Sequence, residues 1–233
     1  DPSIADGSTA FDVNAYSGNG SSQSISLSFN PSLIWTKGRN NTEWHVLVDQ
    51  LRATSRYLYA NATNEESNNQ SQGVTAFSST GYTVGSSDYI NKNTFTYVGW
   101  AWNAGTSTSS NTDGTVTTSV RASATNGSSV CTYTGNGTDD ATFGHGLNAI
   151  PEFIIVKRRD SADDWFVYTL PTANNILKLN ATDSESASSH FRTMSSSTFQ
   201  LSGNADVNAN NGTFVAYCFA PIEGFSAFGS YTG

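Results

Sequence analysis

The chain has 233 residues, 11 of them basic and 19 acidic, for a formal net charge of -8. Only 13% of residues are charged, against about 25% in an average globular chain, and Ser, Thr, Asn and Gly crowd the segments between apolar runs, so solubility rests on hydroxyls and amides. The acidic balance excludes a nucleic-acid footprint and an anionic membrane surface as partners, no apolar run reaches the roughly 18 residues of a membrane-spanning helix, and two cysteines are too few for a disulfide scaffold.

In chain order, Asp1-Pro2-Ser3 has neither an initiating Met nor a basic-then-apolar signal, which leads to the expectation of a fragment or processed product. Tyr16-Ser17-Gly18-Asn19-Gly20 reads as a strand entering a turn, and Pro31 to Lys37, Trp44 to Leu47 and Leu58 to Thr63 read as further strands. Between them, Leu51, Arg52, Ala53 and Arg56 predict a turn or two of helix over 49–57, an element that need not recur later, where Pro171 lies nearby. Asn91 to Trp102 closes the series with an alternating strand: Val98, Trp100 and Trp102 on one face, Gly99 and Ala101 on the other. The large residues predict the core side, and the small ones a face against a neighbouring copy, a loop or another subunit; a solvated small face is the alternative. Ala104 to Asn111 reads as a linker, and Thr115 to Ala122 as an extra strand bridging to the second half of the chain.

The same blocks then return. Tyr133 to Gly137 repeats Tyr16 to Gly20, Pro151 to Lys157 repeats Pro31 to Lys37, Trp165-Phe166-Val167-Tyr168 matches Trp44-His45-Val46-Leu47, and Leu177 to Thr182 matches Leu58 to Thr63. Asn208 to Phe219 matches Asn91 to Trp102, so that Val215, Tyr217 and Phe219 face one way and Ala216 and Cys218 the other. Five blocks in one order predict an all-β fold: two tandem β-sandwich units, jelly-roll or concanavalin-like, related by internal duplication. Residues 1–110 form the first and 111–233 the second, with a bridging strand at 115–122 and, at 229–233, the start of a third unit.

No chemistry-bearing constellation emerges. Glu43, Asp49, Asp163 and Asp164 lack the alternate-position spacing of a glycosidase pair, and Glu65-Glu66 and Asp139-Asp140 read as solvated loop residues. His45, His145 and His190 have no second ligand at metal spacing; His145, between Gly144 and Gly146, reads as a turn residue capping a carbonyl. Asp139-Asp140 and Asn204-Ala205-Asp206 carry oxygen ligands but no defined calcium pattern. The Asn-x-Ser/Thr triplets at Asn61, Asn126, Asn136 and Asn180 are what such a composition yields by chance. Cys131 and Cys218 read as packed thiols, a disulfide being the alternative. Trp44 and Trp165, matched across the repeat, read as core residues, with a sugar-stacking platform as the alternative. No catalytic, cofactor-binding or metal residue is assigned, and no cofactor is expected.

Tyr-Ser/Thr-Gly-Asn-Gly, the strand Pro31 to Lys37, Gly144-His145-Gly146-Leu147 before Pro151 to Lys157, Val215 to Ala220, Gly224-Phe225-Ser226 and Phe228 to Gly233 together resemble a family of repeated modules found in structural proteins of tailed, often marine, bacteriophages. The resemblance covers essentially the whole chain. It implies a sandwich-fold component of the virion exterior, in a tail fibre, spike or capsid decoration, with a host-adhesion role and no enzymatic activity. Its expected partners are other virion proteins, further copies of the chain and a host-surface glycan, with neither nucleic acid nor membrane insertion. The alternative is a carbohydrate-binding module of a secreted enzyme or adhesin.

Overall fold

The computed structural model describes residues 2–170 and 175–231; Asp1, Pro171 and the Thr232-Gly233 end of the expected third unit lie outside the described residues. The first half runs β1 (Phe11–Ser17), β2 (Gln23–Ser26), β3 (Leu33–Gly38), β4 (Val46–Asp49), β5 (Leu58–Tyr59), β6 (Val74–Ser78), β7 (Gly81–Val84), the one-turn helix α1 (Asp88–Asn91) and β8 (Thr96–Trp102). Then come β9 (Ser109–Asn111) and β10 (Thr118–Ser123). The second half runs β11 (Ser128–Thr134), β12 (Ala141–Gly144), β13 (Phe153–Arg158), β14 (Trp165–Thr169), β15 (Asn175–Lys178), β16 (Ser186–Ala187), β17 (Phe191–Met194), β18 (Thr198–Leu201), α2 (Ala205–Asn208) and β19 (Thr213–Phe219).

The strands form antiparallel sheets, and the fold is an all-β sandwich. The large sheet of the first half has the order β1-β8-β3-β4-β5, and its small sheet β2-β7-β6. In the second half β11-β19-β13-β14-β15 and β12-β18-β17 follow the same order, the large sheet being extended by β16 at one edge and by β10 and β9 at the other. Each large sheet packs on its own small sheet. Ile34, Val46, Tyr57, Tyr82 and Ala101 lie in the first interior, and Cys131, Phe143, Phe199, Ala216 and Cys218 in the second. The two large sheets also pack on each other through Leu33, Leu47, Val130, Ile155, Trp165, Val215 and Tyr217, giving four layers with a third apolar seam in the middle. Each large side chain buried there contributes about 1.5–3 kcal/mol.

Several expectations need correction. The two faces of the closing strand are exchanged: Val215, Tyr217, Phe219 and Trp102 look into the seam between the halves, whereas Ala101, Ala216 and Cys218 look into each half's own interior. The small sheets supply the bulk on that side. A Cβ on Gly99 would come within 2.4 Å of the Tyr82 hydroxyl, so the central strand must be small where the opposing ring reaches across. No helix forms over 49–57. The Asp49 carboxylate instead accepts from the amides of Leu51 and Arg52, at 3.1 and 2.9 Å, and Ala53 turns to φ 98°, which stops helical propagation. Among the described residues the helical elements are the single turns α1 and α2 and a 3-10 turn at Gly7–Thr9. Part of the expected linker is strand β9, paired to β10, and β10 extends the second large sheet by pairing with β11 from Ser119↔Thr132 to Ser123↔Ser128. Cys131 and Cys218 are free, buried thiols.

Candidate functional site

The residues that recur between the halves are employed in holding the fold. Buried Asn91 accepts from the amide of Asn19 and donates to the carbonyls of Ser21 and Gly85; buried Asn208 accepts from the amide of Asn136 at 2.9 Å and donates to the Thr138 carbonyl at 3.0 Å. The Tyr-x-Gly-Asn-Gly turn is thus pinned by an asparagine from the strand-preceding helix. The Tyr16 hydroxyl donates to the Ile90 carbonyl and that of Tyr133 to the Val207 carbonyl, both at 2.7 Å. Lys37 caps the turn after β3 through the carbonyls of Gly38 and Asn41, and Lys157 the turn after β13 through those of Arg158 and Ser161. Burial pushes the Lys157 ammonium down to about 8, partly countered by Asp163 and Asp164.

The structure also shifts one match by a residue. The His45 amide donates to Asn61 Oδ1 as the Trp165 amide donates to Asn180 Oδ1, at 2.9 and 2.8 Å. The carbonyls of His45 and Trp165 accept from Ala60 and Leu179 alike. His45, not Trp44, therefore stands where Trp165 stands. A one-residue slip moves a side chain to the opposite environment. Trp165 is fully buried in the seam, its Nε1 donating to the carbonyls of Tyr59 and Ala62 at 2.9 and 3.1 Å. Trp44 is 36% exposed.

Trp44 forms one side of the candidate site. Its ring meets Tyr59 edge-on at 4.4 Å between centroids and lies within 14° of parallel to Tyr89, at 6.2 Å. Beside this trio the loop Asn64 to Asn69 walls a groove of about 380 Å³ that Trp44 and the edge of Tyr59 also line. Asn64, Glu65 and Asn68 are exposed there. At the matching positions the second half has Asp164, Lys178 and Asp206. Lys178 pairs with Asp164 at 2.9 Å, and Asp206 with His190 at 2.9 Å. The aromatic groove thus belongs to one half only and serves no requirement shared by both sheets.

The remaining sequence candidates are occupied by the fold. Glu66 receives Arg159 through two nitrogens at 2.9 Å each, Arg52 at 2.8 Å and Arg56 at 3.2 Å. Burial works to raise its carboxyl, but Arg159 and Arg52 outweigh that and hold it below the usual carboxylate range. Asp49 binds Arg52 at 2.6 Å and accepts from the Tyr217 hydroxyl at 2.9 Å, across the seam. Asp164 accepts from the Asn180 amide at 2.8 Å. Asp163, by contrast, is raised by burial. The Glu43 amide donates to Asn41 Oδ1, and His45 Nδ1 accepts from Trp35 Nε1. Buried His145 accepts from the Leu147 amide through Nδ1 and contacts the Ser195 carbonyl through Nε2, both at 3.2 Å. Burial keeps its ring easier to deprotonate than a free imidazole. Asp139 accepts from the Gly203 amide, and Asn204 caps α2 through the Asp206 amide. Among the described residues no three His, Cys, Asp or Glu side chains gather as metal ligands.

No curated protein and no solved structure matches the chain. The chain belongs to the family described as a domain of unknown function, DUF7483, whose model matches residues 6–233.

Proposed function

We propose that this chain is a glycan-contacting adhesion module of the exterior of a bacteriophage particle, that it binds rather than catalyses, and that its two halves derive from one duplicated unit. The observation that carries the binding role is the open ring of Trp44 beside the amide and carboxylate groups of the 64–69 loop. A pyranose presents an apolar C–H face and a rim of hydroxyls. The face loses water against an aromatic ring, and the rim exchanges hydrogen bonds with amides and carboxylates. One such contact is weak, on the order of millimolar, and becomes useful when a particle displays many copies.

The family resemblance read from the sequence supports the placement on a virion, in a tail fibre, spike or decoration protein, with other virion proteins and further copies as partners. Matched strand orders and matched asparagine, tyrosine and lysine bonds support the duplication. A glycan array probed with the multimerised chain is expected to show binding that Trp44→Ala weakens at least about tenfold, the loss of roughly 1.5–3 kcal/mol of ring burial. Unchanged binding by that variant rejects the groove, and the absence of any bound glycan rejects the adhesion role. Failure to find this chain in purified particles by mass spectrometry rejects the virion placement and leaves the reading as a carbohydrate-binding module of a secreted protein.

A further inference from the structure

The two halves differ at one sheet edge. In the second half the outer edge of β11 is covered by β10, which pairs with it from Ser119↔Thr132 to Ser123↔Ser128 and is itself backed by β9. The strand in the same place in the first half, β1, is the last of its sheet. Residues 2–10 do not double back along it: Ser3 donates to the Glu223 carbonyl and Ser28 to that of Ser8, so the segment leads away past the end of the strand.

At matched positions Val130 is 1% exposed, packed in the seam between the large sheets, whereas Val13, outside that seam, is 47% exposed. Val13 lies opposite the half-buried Trp100 across β1 and β8, so the bare edge borders an aromatic face. On the other face Asn14 stands in the place of Cys131 and donates to the Ser26 carbonyl at 3.1 Å, tying β1 to the end of β2. Over Phe11 to Ser17 the edge carries neither proline nor lysine, and its one charged residue, Asp12, accepts from the Val13 amide at 2.7 Å, a bond that an incoming strand would displace.

From this difference we infer that the β1 edge is a strand-acceptor site, taking in trans an extended, hydroxyl-rich segment of another protein in the assembly, antiparallel, as β11 takes β10 within the chain. Backbone hydrogen bonds supply the affinity. The alternating side chains supply the selectivity: an apolar or long aliphatic residue beside Val13 and Trp100, and a hydroxyl or amide opposite Asn14, where β10 offers Val120 to Cys131. The site lies at the opposite edge of the sheet from the Trp44 groove, and its failure would leave the glycan proposal untouched.

The test uses the whole chain and a synthetic peptide of residues 115–123 carrying Val120→Thr, with amide hydrogen exchange read residue by residue. At roughly millimolar peptide, the amides of residues 11–17 are expected to exchange at least about tenfold more slowly, while β11 is unchanged. The same peptide N-methylated at alternate residues should have no effect. No slowing at β1, equal slowing by the methylated peptide, or slowing on raising the concentration of the protein alone, which would make a second copy the occupant, each overturns the inference.

Discussion

At the scale of single residues, the molecule separates those that hold the chain from those free to serve a partner. Asn208 has no exposed surface and completes the hydrogen bonding of the turn at Asn136 to Thr138. Asn208→Ala strands an amide and a carbonyl, and the expected cost is roughly 2–4 kcal/mol, read as a lower urea midpoint. Trp44 is the contrary case, since its removal is expected to weaken binding while lowering that midpoint only by the smaller loss of its packing on Tyr59 and Tyr89. The recurrence of Asn91 and Asn208 is visible in the sequence. Their common task is not, because it depends on a turn more than 70 residues away meeting a helix. Trp44 is legible as an aromatic, yet its pairing with Trp165 along the chain conceals that the two occupy different environments.

Among elements, the closing strands teach the most. Alternation along β8 and β19 identifies two faces, but size does not say which partner each face meets. Tyr82 on β7 fills the space above Gly99. Gly99→Ala is therefore expected to cost about 1–3 kcal/mol by overpacking, and Tyr82→Phe, which removes the atom in the way, to recover most of it. A double-mutant cycle of denaturation midpoints measures this, and additive costs would mean the ring is not the obstacle. The expected helix at 49–57 is absent for a comparable reason. Its apolar and basic residues suit a helix, but the Asp49 carboxylate caps its own turn while also binding Arg52 and Tyr217.

For the whole molecule, one contact between the halves is expected to respond to pH. Arg159 of the second half and Arg52 and Arg56 of the first converge on Glu66. Because the folded carboxyl titrates below its unfolded value of about 4.3, its contribution is complete above that pH and fades as the pH falls through the lowered folded value. Glu66→Gln should destabilise the protein at neutral pH by roughly 3 kcal/mol, as for one partner removed from a buried pair. It should also flatten the acid limb of the midpoint-against-pH curve; a limb as steep as the parent's would place the acid sensitivity elsewhere. Apolar alternation, turn residues and the recurrence of blocks sufficed for the all-β class and for most strands, because those signals are local and repeat at the period of the pleat. The exchange of faces, the four-layer stacking, the capture of Glu66 by arginines of both halves and the exposure of Trp44 arise between segments distant in the chain, where shape and desolvation decide which surfaces meet.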